Sequence, residues 1–145
     1  MLRRCPTSSL SSREMPARDG DVYALRLGGT PKLFKVECAV TAEARARGLS
    51  GRDPLKPGHG MLFLFDRLDT QQMWMPDMKF PLDIVWLDEN LMVVHVTEHT
   101  PPCEDPTGTK CPMYSSKFRV KYAIEMTAGQ AGIYGFAPGL QLSVA

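Results

Sequence analysis

The sequence predicts a mainly β fold: a single domain, built as a β-sandwich or small barrel of about seven strands with two or three short helices. Three observations carry that prediction. The 145 residues include 12 Gly and 12 Pro, which leave little uninterrupted sequence for long helices. Several segments alternate apolar and polar side chains with period two, the signature of a half-buried strand. The balance of 43% apolar and 23% charged residues is that of a globular chain, long enough to bury a core without a metal or a disulfide.

Residues 1–20 read as a flexible tail and 21–145 as the domain. Arg3 and Arg4 open the tail, but the small, polar residues 5–12 lack the apolar stretch of a secretory signal. No apolar run approaches the roughly 20 residues of a membrane span, so no membrane association is expected and the default location is cytoplasmic. With 17 Lys+Arg against 16 Asp+Glu, the net charge of +1 offers no field for a phosphate backbone, and nucleic-acid binding is not expected. The sequence leaves the oligomeric state open.

Residues 22–27 form the first expected strand, closed by Gly28 and Gly29. Residues 32–40 form the second, with Phe34, Val36, Cys38 and Val40 on one face and Lys35 and Glu37 on the other. A two-turn helix follows: Thr41 is a good N-cap, Glu43 suits the first turn, and Gly48 suits the C-terminal left-handed position. Two prolines and a glycine make residues 53–59 a loop. Residues 60–65 are an apolar strand, and residues 66–72 read as a polar connection. Residues 82–87 and 91–96 read as a hairpin across Asp88, Glu89 and Asn90, with Asn90 at positive φ. Four prolines and a glycine exclude a regular element from residues 100–112. Residues 119–126 alternate again, with Val120, Tyr122 and Ile124 on one side. A brief helical turn after Gly129 reaches Tyr134, and residues 139–144 close the chain as a strand.

Four pieces of sequence carry a family likeness: Arg47-Gly48-Leu49-Ser50-Gly51-Arg52; Gly60-Met61-Leu62-Phe63-Leu64-Phe65; Trp74-Met75-Pro76-Asp77-Met78-Lys79-Phe80-Pro81-Leu82-Asp83-Ile84; and Tyr122-Ala123-Ile124-Glu125 with Ala128 and Gly129 behind it. In order and spacing they resemble the prokaryotic domain-of-unknown-function family 192, over about residues 33–144. The resemblance implies a compact, mainly β fold with a short helix after an early strand, and it implies no established reaction. The chain departs from many relatives at Ser50, where they carry Met. Members often carry an export signal or a lipid-attachment cysteine, and neither is visible here.

The segment from Trp74 to Asp83 is the strongest candidate for a site. Trp74, Met75, Met78 and Phe80 supply apolar surface beside the charges of Asp77, Lys79 and Asp83, the make-up of a small-molecule or carbohydrate pocket. Arg52, Tyr114 and Glu125 are expected to join it. The competing structural reading makes Trp74 and the methionines core and pairs Asp83 with Arg52 as an ion pair between strands. Pro81 removes a backbone donor and places the segment at a sheet edge or bulge. The nine methionines, with Met73, Met75 and Met78 clustered, read as core filling in preference to copper ligation. The basic residues Arg45, Arg47 and Arg52 read as solvated.

Cys103 and Cys111 are candidates for a disulfide closing a turn-rich loop, which would add about 2–3 kcal/mol in the chain-entropy model. With His95 and His99, expected on one strand face, they also form the only metal-like spacing, although it matches no zinc template. No cofactor is expected. The leading functional expectation is a non-enzymatic β domain that binds a small or extended ligand, sugar- or peptide-like. The alternatives are a hydrolase using Asp83 and Glu125, with Arg52 stabilising negative charge, and a protein-interaction module offering an edge strand or the Cys103 to Cys111 loop.

Overall fold

Alternating apolar side chains place β1 (Val22–Leu27) against β2 (Leu33–Ala39) as an antiparallel pair, with Leu25 opposite Phe34. The computed structural model of the chain describes residues 15–145. In β2 the expected apolar face, Phe34, Val36 and Cys38, is buried. Helix α1 (Ala42–Arg47) follows where its caps predict it. The Thr41 hydroxyl accepts from the Ala44 N–H at 3.1 Å, and the Gly48 N–H donates to the Ala44 carbonyl. After α1 the chain enters β3 (His59–Met73), which runs parallel to β2.

The remaining elements are β4 (Leu82–Leu87), β5 (Val93–Thr100), β6 (Tyr114–Thr127), α2 (Gln130–Tyr134) and β7 (Leu142–Val144). The mainly β fold of seven strands and short helices is the one observed. The strands form one curled sheet, a half-barrel, in the order β5-β4-β6-β3-β2-β1-β7. Its two faces carry separate apolar clusters. Leu25, Phe34, Leu62, Val85 and Tyr122 belong to the first; Met61, Phe63, Ile84, Trp86 and Ala123 belong to the second. β4 lies inside the sheet and is buried at all six positions, which is why its sequence is nearly continuous in apolar residues.

Four expectations change. Residues 66–72 are the second half of β3, not a connection. They pair with the start of β6 through two register shifts, and their polar composition reflects a long two-stranded arm reaching beyond the apolar clusters. Val120 belongs to the second cluster, apart from Tyr122 and Ile124 in the first. In the β4–β5 turn the positive φ falls on Leu91 at +63°, because Leu91 is drawn into the core. The Asp88 carboxylate then accepts from the Asn90 and Met92 N–H groups. Finally, residues 15–20, expected to belong to the tail, contact the domain. Met15 and Ala17 pack on the first cluster, and the Asp19 carboxylate accepts from Val40 N, Thr41 N and the Thr41 hydroxyl. Residues 1–14 lie outside the described residues.

Candidate ligand-binding cleft

The second face of the sheet opens into a cavity of about 580 Å³. Phe63 of β3 and Glu125 of β6 line its floor. The end of α1 and the turn after it, including Arg47 and Ser50, cover one side. The β3 arm, through Gln71 and Gln72, and Trp74 form the other. These walls are tied together. The Arg45 side chain, 17% exposed, donates to the carbonyls of Val40 and Leu64 and pairs with Asp66 at 3.3 Å. The Ser50 hydroxyl donates to the Pro76 carbonyl at 3.1 Å, and the Gly51 N–H donates to the Asp77 carbonyl. Arg45 is thus a structural anchor and not a solvated residue.

Glu125 is the distinctive group. Its β6 position stands opposite Met61 on one side and Ile84 on the other, so its side chain rises from an apolar floor. It is 5% exposed, and among the described residues no hydrogen bond or ion pair reaches its carboxyl. Burial alone pushes its pKa up to about 8, so the group is mostly a neutral carboxylic acid at pH 7. A neutral carboxyl offers one O–H donor and one carbonyl acceptor. Trp74, 44% exposed, presents an indole at the cavity wall.

The other expected site residues do not converge here. Asp83 lies on the opposite face of the sheet. It sits opposite Met126, and its carboxylate is enclosed by three backbone donors: His99 N at 2.9 Å, Gly129 N at 2.8 Å and Ala131 N at 3.0 Å. Arg52 does not pair with it. Arg52 instead grips Glu37 through two bonds of 2.9 and 3.0 Å, beside a separate hollow of about 140 Å³. That guanidinium holds Glu37 below the usual carboxylate range. Asp77 and Lys79 are exposed and lie outside the cavity lining; Lys79 approaches Asp53 at 3.9 Å. Tyr114 stands opposite Met73, beside the cavity without lining it. The hydrolase arrangement of Asp83, Glu125 and Arg52 around one cleft is therefore not formed.

Cys103 and Cys111 are joined by a disulfide, with Cα atoms 5.4 Å apart, so neither sulfur is free to bind a metal with His95 and His99. The two histidines are also out of phase. β5 pairs Ile84 with Thr97 but Leu82 with Thr100, and the extra residue is absorbed around His99 at φ +56°. Met73 and Met75 fill the second apolar cluster, as core packing predicts. Sequence reasoning missed Phe63, Gln71 and Gln72 as cavity-lining residues. Residues 66–72 carry no apolar alternation that would have marked them as a strand wall.

The model of the domain-of-unknown-function family 192, described as "Uncharacterized ACR", matches residues 23–144. The chain belongs to this family. No curated protein matches the chain at a significant level. A crystal structure from Sinorhizobium meliloti 1021, described as a candidate transcription regulator, shares 27% identity with a TM-score of 0.78. That match covers 88% of this chain and 97% of the other. A protein of unknown function from Novosphingobium aromaticivorans DSM 12444 shares 23% identity with a TM-score of 0.73, over 84% of each chain, and likewise has this fold.

Proposed function

We propose that this family 192 protein binds a small or extended, uncharged ligand, sugar- or peptide-like, in the cleft between α1, the β3 arm and Trp74. The observation that carries this reading is the Glu125 carboxyl. The carboxyl opens on the cavity and meets no protein partner among the described residues, so its hydrogen-bonding capacity is directed at whatever occupies the cleft. A ligand hydroxyl or amide, both donor and acceptor, satisfies both functions of the neutral acid. The half-exposed Trp74 offers a stacking face, and Gln71 and Gln72 offer amide groups at the rim. Arg45 and Arg67 have carboxylate neighbours in Asp66 and Asp69, so with Glu125 neutral the lining carries one net positive charge, that of Arg47 at the end of α1.

The regulator description of the Sinorhizobium relative is not carried over in this proposal, because a net charge of +1 gives little attraction to a phosphate backbone. The test is tryptophan emission titrated with oligosaccharides of glucose and N-acetylglucosamine and with uncharged peptides. Trp86 is fully buried, so a ligand-dependent change reports Trp74. Saturable change lost in Trp74→Phe supports the proposal; no response to any compound refutes it.

A further inference from the structure

Trp74 owes its position to a residue distant in sequence. Its indole packs against Gly108, inside the loop that the disulfide between Cys103 and Cys111 closes. Gly108 has φ +77°, and a Cβ there would lie 2.8 Å from Cζ3 and 3.1 Å from Cη2 of the indole. The ring therefore occupies space that any other residue at position 108 would fill. The loop is also fastened to the segment that carries Trp74. The Cys103 N–H donates to the Met75 carbonyl at 3.0 Å, and Pro76 and Cys103 form an isolated bridge.

Within the loop, the Asp105 carboxylate accepts from Thr107 N, Lys110 N and both threonine hydroxyls. These bonds shape the loop locally but do not reach the sheet. At its far end the Cys111 N–H donates only back to the Gly108 carbonyl. Three residues further on, Tyr114 pairs with Met73, so the disulfide closes the loop between two anchors that flank Trp74.

We propose that this disulfide-closed loop is the positioning element of the cleft: it fixes the Trp74 indole as the cleft wall, and its reduction releases that wall and weakens ligand capture. The second half rests on the reading of the cleft as a ligand site. In the reducing step a dithiol supplies two electrons and two protons. The bond between the Cys103 and Cys111 sulfurs breaks, both become thiols, and the dithiol leaves as a disulfide. Freed of that closure, nine residues containing Pro106 and Gly108 regain conformational entropy, and the order of the loop falls with it.

Acrylamide quenching of tryptophan emission reads the wall directly, with Trp74→Phe supplying the background of buried Trp86. The Trp74 quenching constant is expected to rise about twofold when dithiothreitol reduces the protein, as a locally loosened segment requires. The same rise is expected in Cys103→Ser/Cys111→Ser, and in Gly108→Ala with its disulfide intact. Any oligosaccharide or peptide that binds the oxidised protein should bind the reduced protein about fivefold more weakly, through lost preorganisation. An unchanged quenching constant in the reduced wild type overturns the proposal, as does equal affinity in the two redox states. If no compound binds the oxidised protein, the cleft reading falls and the quenching constants alone decide the positioning claim. If the double variant fails to fold, dithiothreitol on the wild type decides between the two outcomes.

Discussion

Asp83 and Glu125 occupy adjacent strands one register step apart yet face opposite sides of the sheet: Asp83 stands opposite Met126, and Glu125 opposite Ile84. Both are buried carboxyls, and the difference between them is their partners. Asp83 accepts three backbone N–H bonds that hold the β5 bulge and the start of α2, whereas Glu125 faces the cleft with none among the described residues. One is a structural pin, and the other lines the cavity.

Replacing Asp83 therefore damages stability without touching the cleft directly. Asp83→Ala leaves three buried or half-buried donors without their acceptor and should cost about 3 kcal/mol or more, since bonds to a charged acceptor each contribute roughly 1.5–3. Asp83→Asn keeps one acceptor oxygen but puts an amide NH₂ where the other is needed, so its stability should fall between wild type and Asp83→Ala. Urea denaturation at pH 7 measures both.

Glu125 makes stability depend on pH with a definite sign. Its folded-state pKa, about 8, stands above the ordinary 4.5, so the folded protein holds a proton that the unfolded chain has lost. The associated stabilisation is fully present below pH 4.5, declines as pH rises, and is gone above pH 8. The slope in that window approaches roughly 1.4 kcal/mol per pH unit for a single group. Urea midpoints of the wild type minus those of Glu125→Gln should fall between pH 5 and pH 8. A flat difference contradicts the burial argument.

The ion pair of Glu37 and Arg52 should contribute little, because its side chains are 37% and 40% exposed. A double-mutant cycle with Glu37→Gln and Arg52→Gln should return a coupling of about 0.5–1 kcal/mol, at the upper end for an exposed pair because the geometry is bidentate. Glu37 has a lowered pKa, so this contribution is present above the ordinary value of 4.5 and is lost as pH falls through the folded-state value. Raising the salt concentration should shrink the coupling.

Reduction of the disulfide should lower global stability by about 2–3 kcal/mol if the loop opens fully in the unfolded chain. Thermal or urea unfolding of the oxidised and the dithiothreitol-treated protein compares the two. Cys38 does not complicate the comparison: its thiol is buried, and its pKa is pushed up to about 12.

Local chemistry made much of the fold legible. Thr41 and Gly48 marked α1 to the residue, and the alternation of Phe34, Val36 and Cys38 identified the inward face of β2. The β3 arm was hidden because strand pairing there is set by β6 and not by apolar alternation; residues 66–72 look like a linker until a partner strand is present. The site was half legible. Trp74 and Glu125 line one cleft, while Asp77, Lys79 and Tyr114 do not. Sequence charge alone allows Asp83 and Arg52 either to share a site or to form an ion pair, yet strand register sends Asp83 to the opposite face, and Glu37 is the acid that meets Arg52. Register is a tertiary property, and one residue of shift changes the face of every side chain.

Capture of an uncharged ligand by the Glu125 and Trp74 cleft is tested most sharply by titrating tryptophan emission in the wild type and in Glu125→Ala with the same oligosaccharides and peptides. A saturable response is expected in the wild type. Affinity should be about tenfold weaker in Glu125→Ala, the loss of roughly one hydrogen bond to a buried group, with the far-UV spectrum unchanged. Equal affinity in the two proteins, or no response in the wild type to any compound, would contradict it.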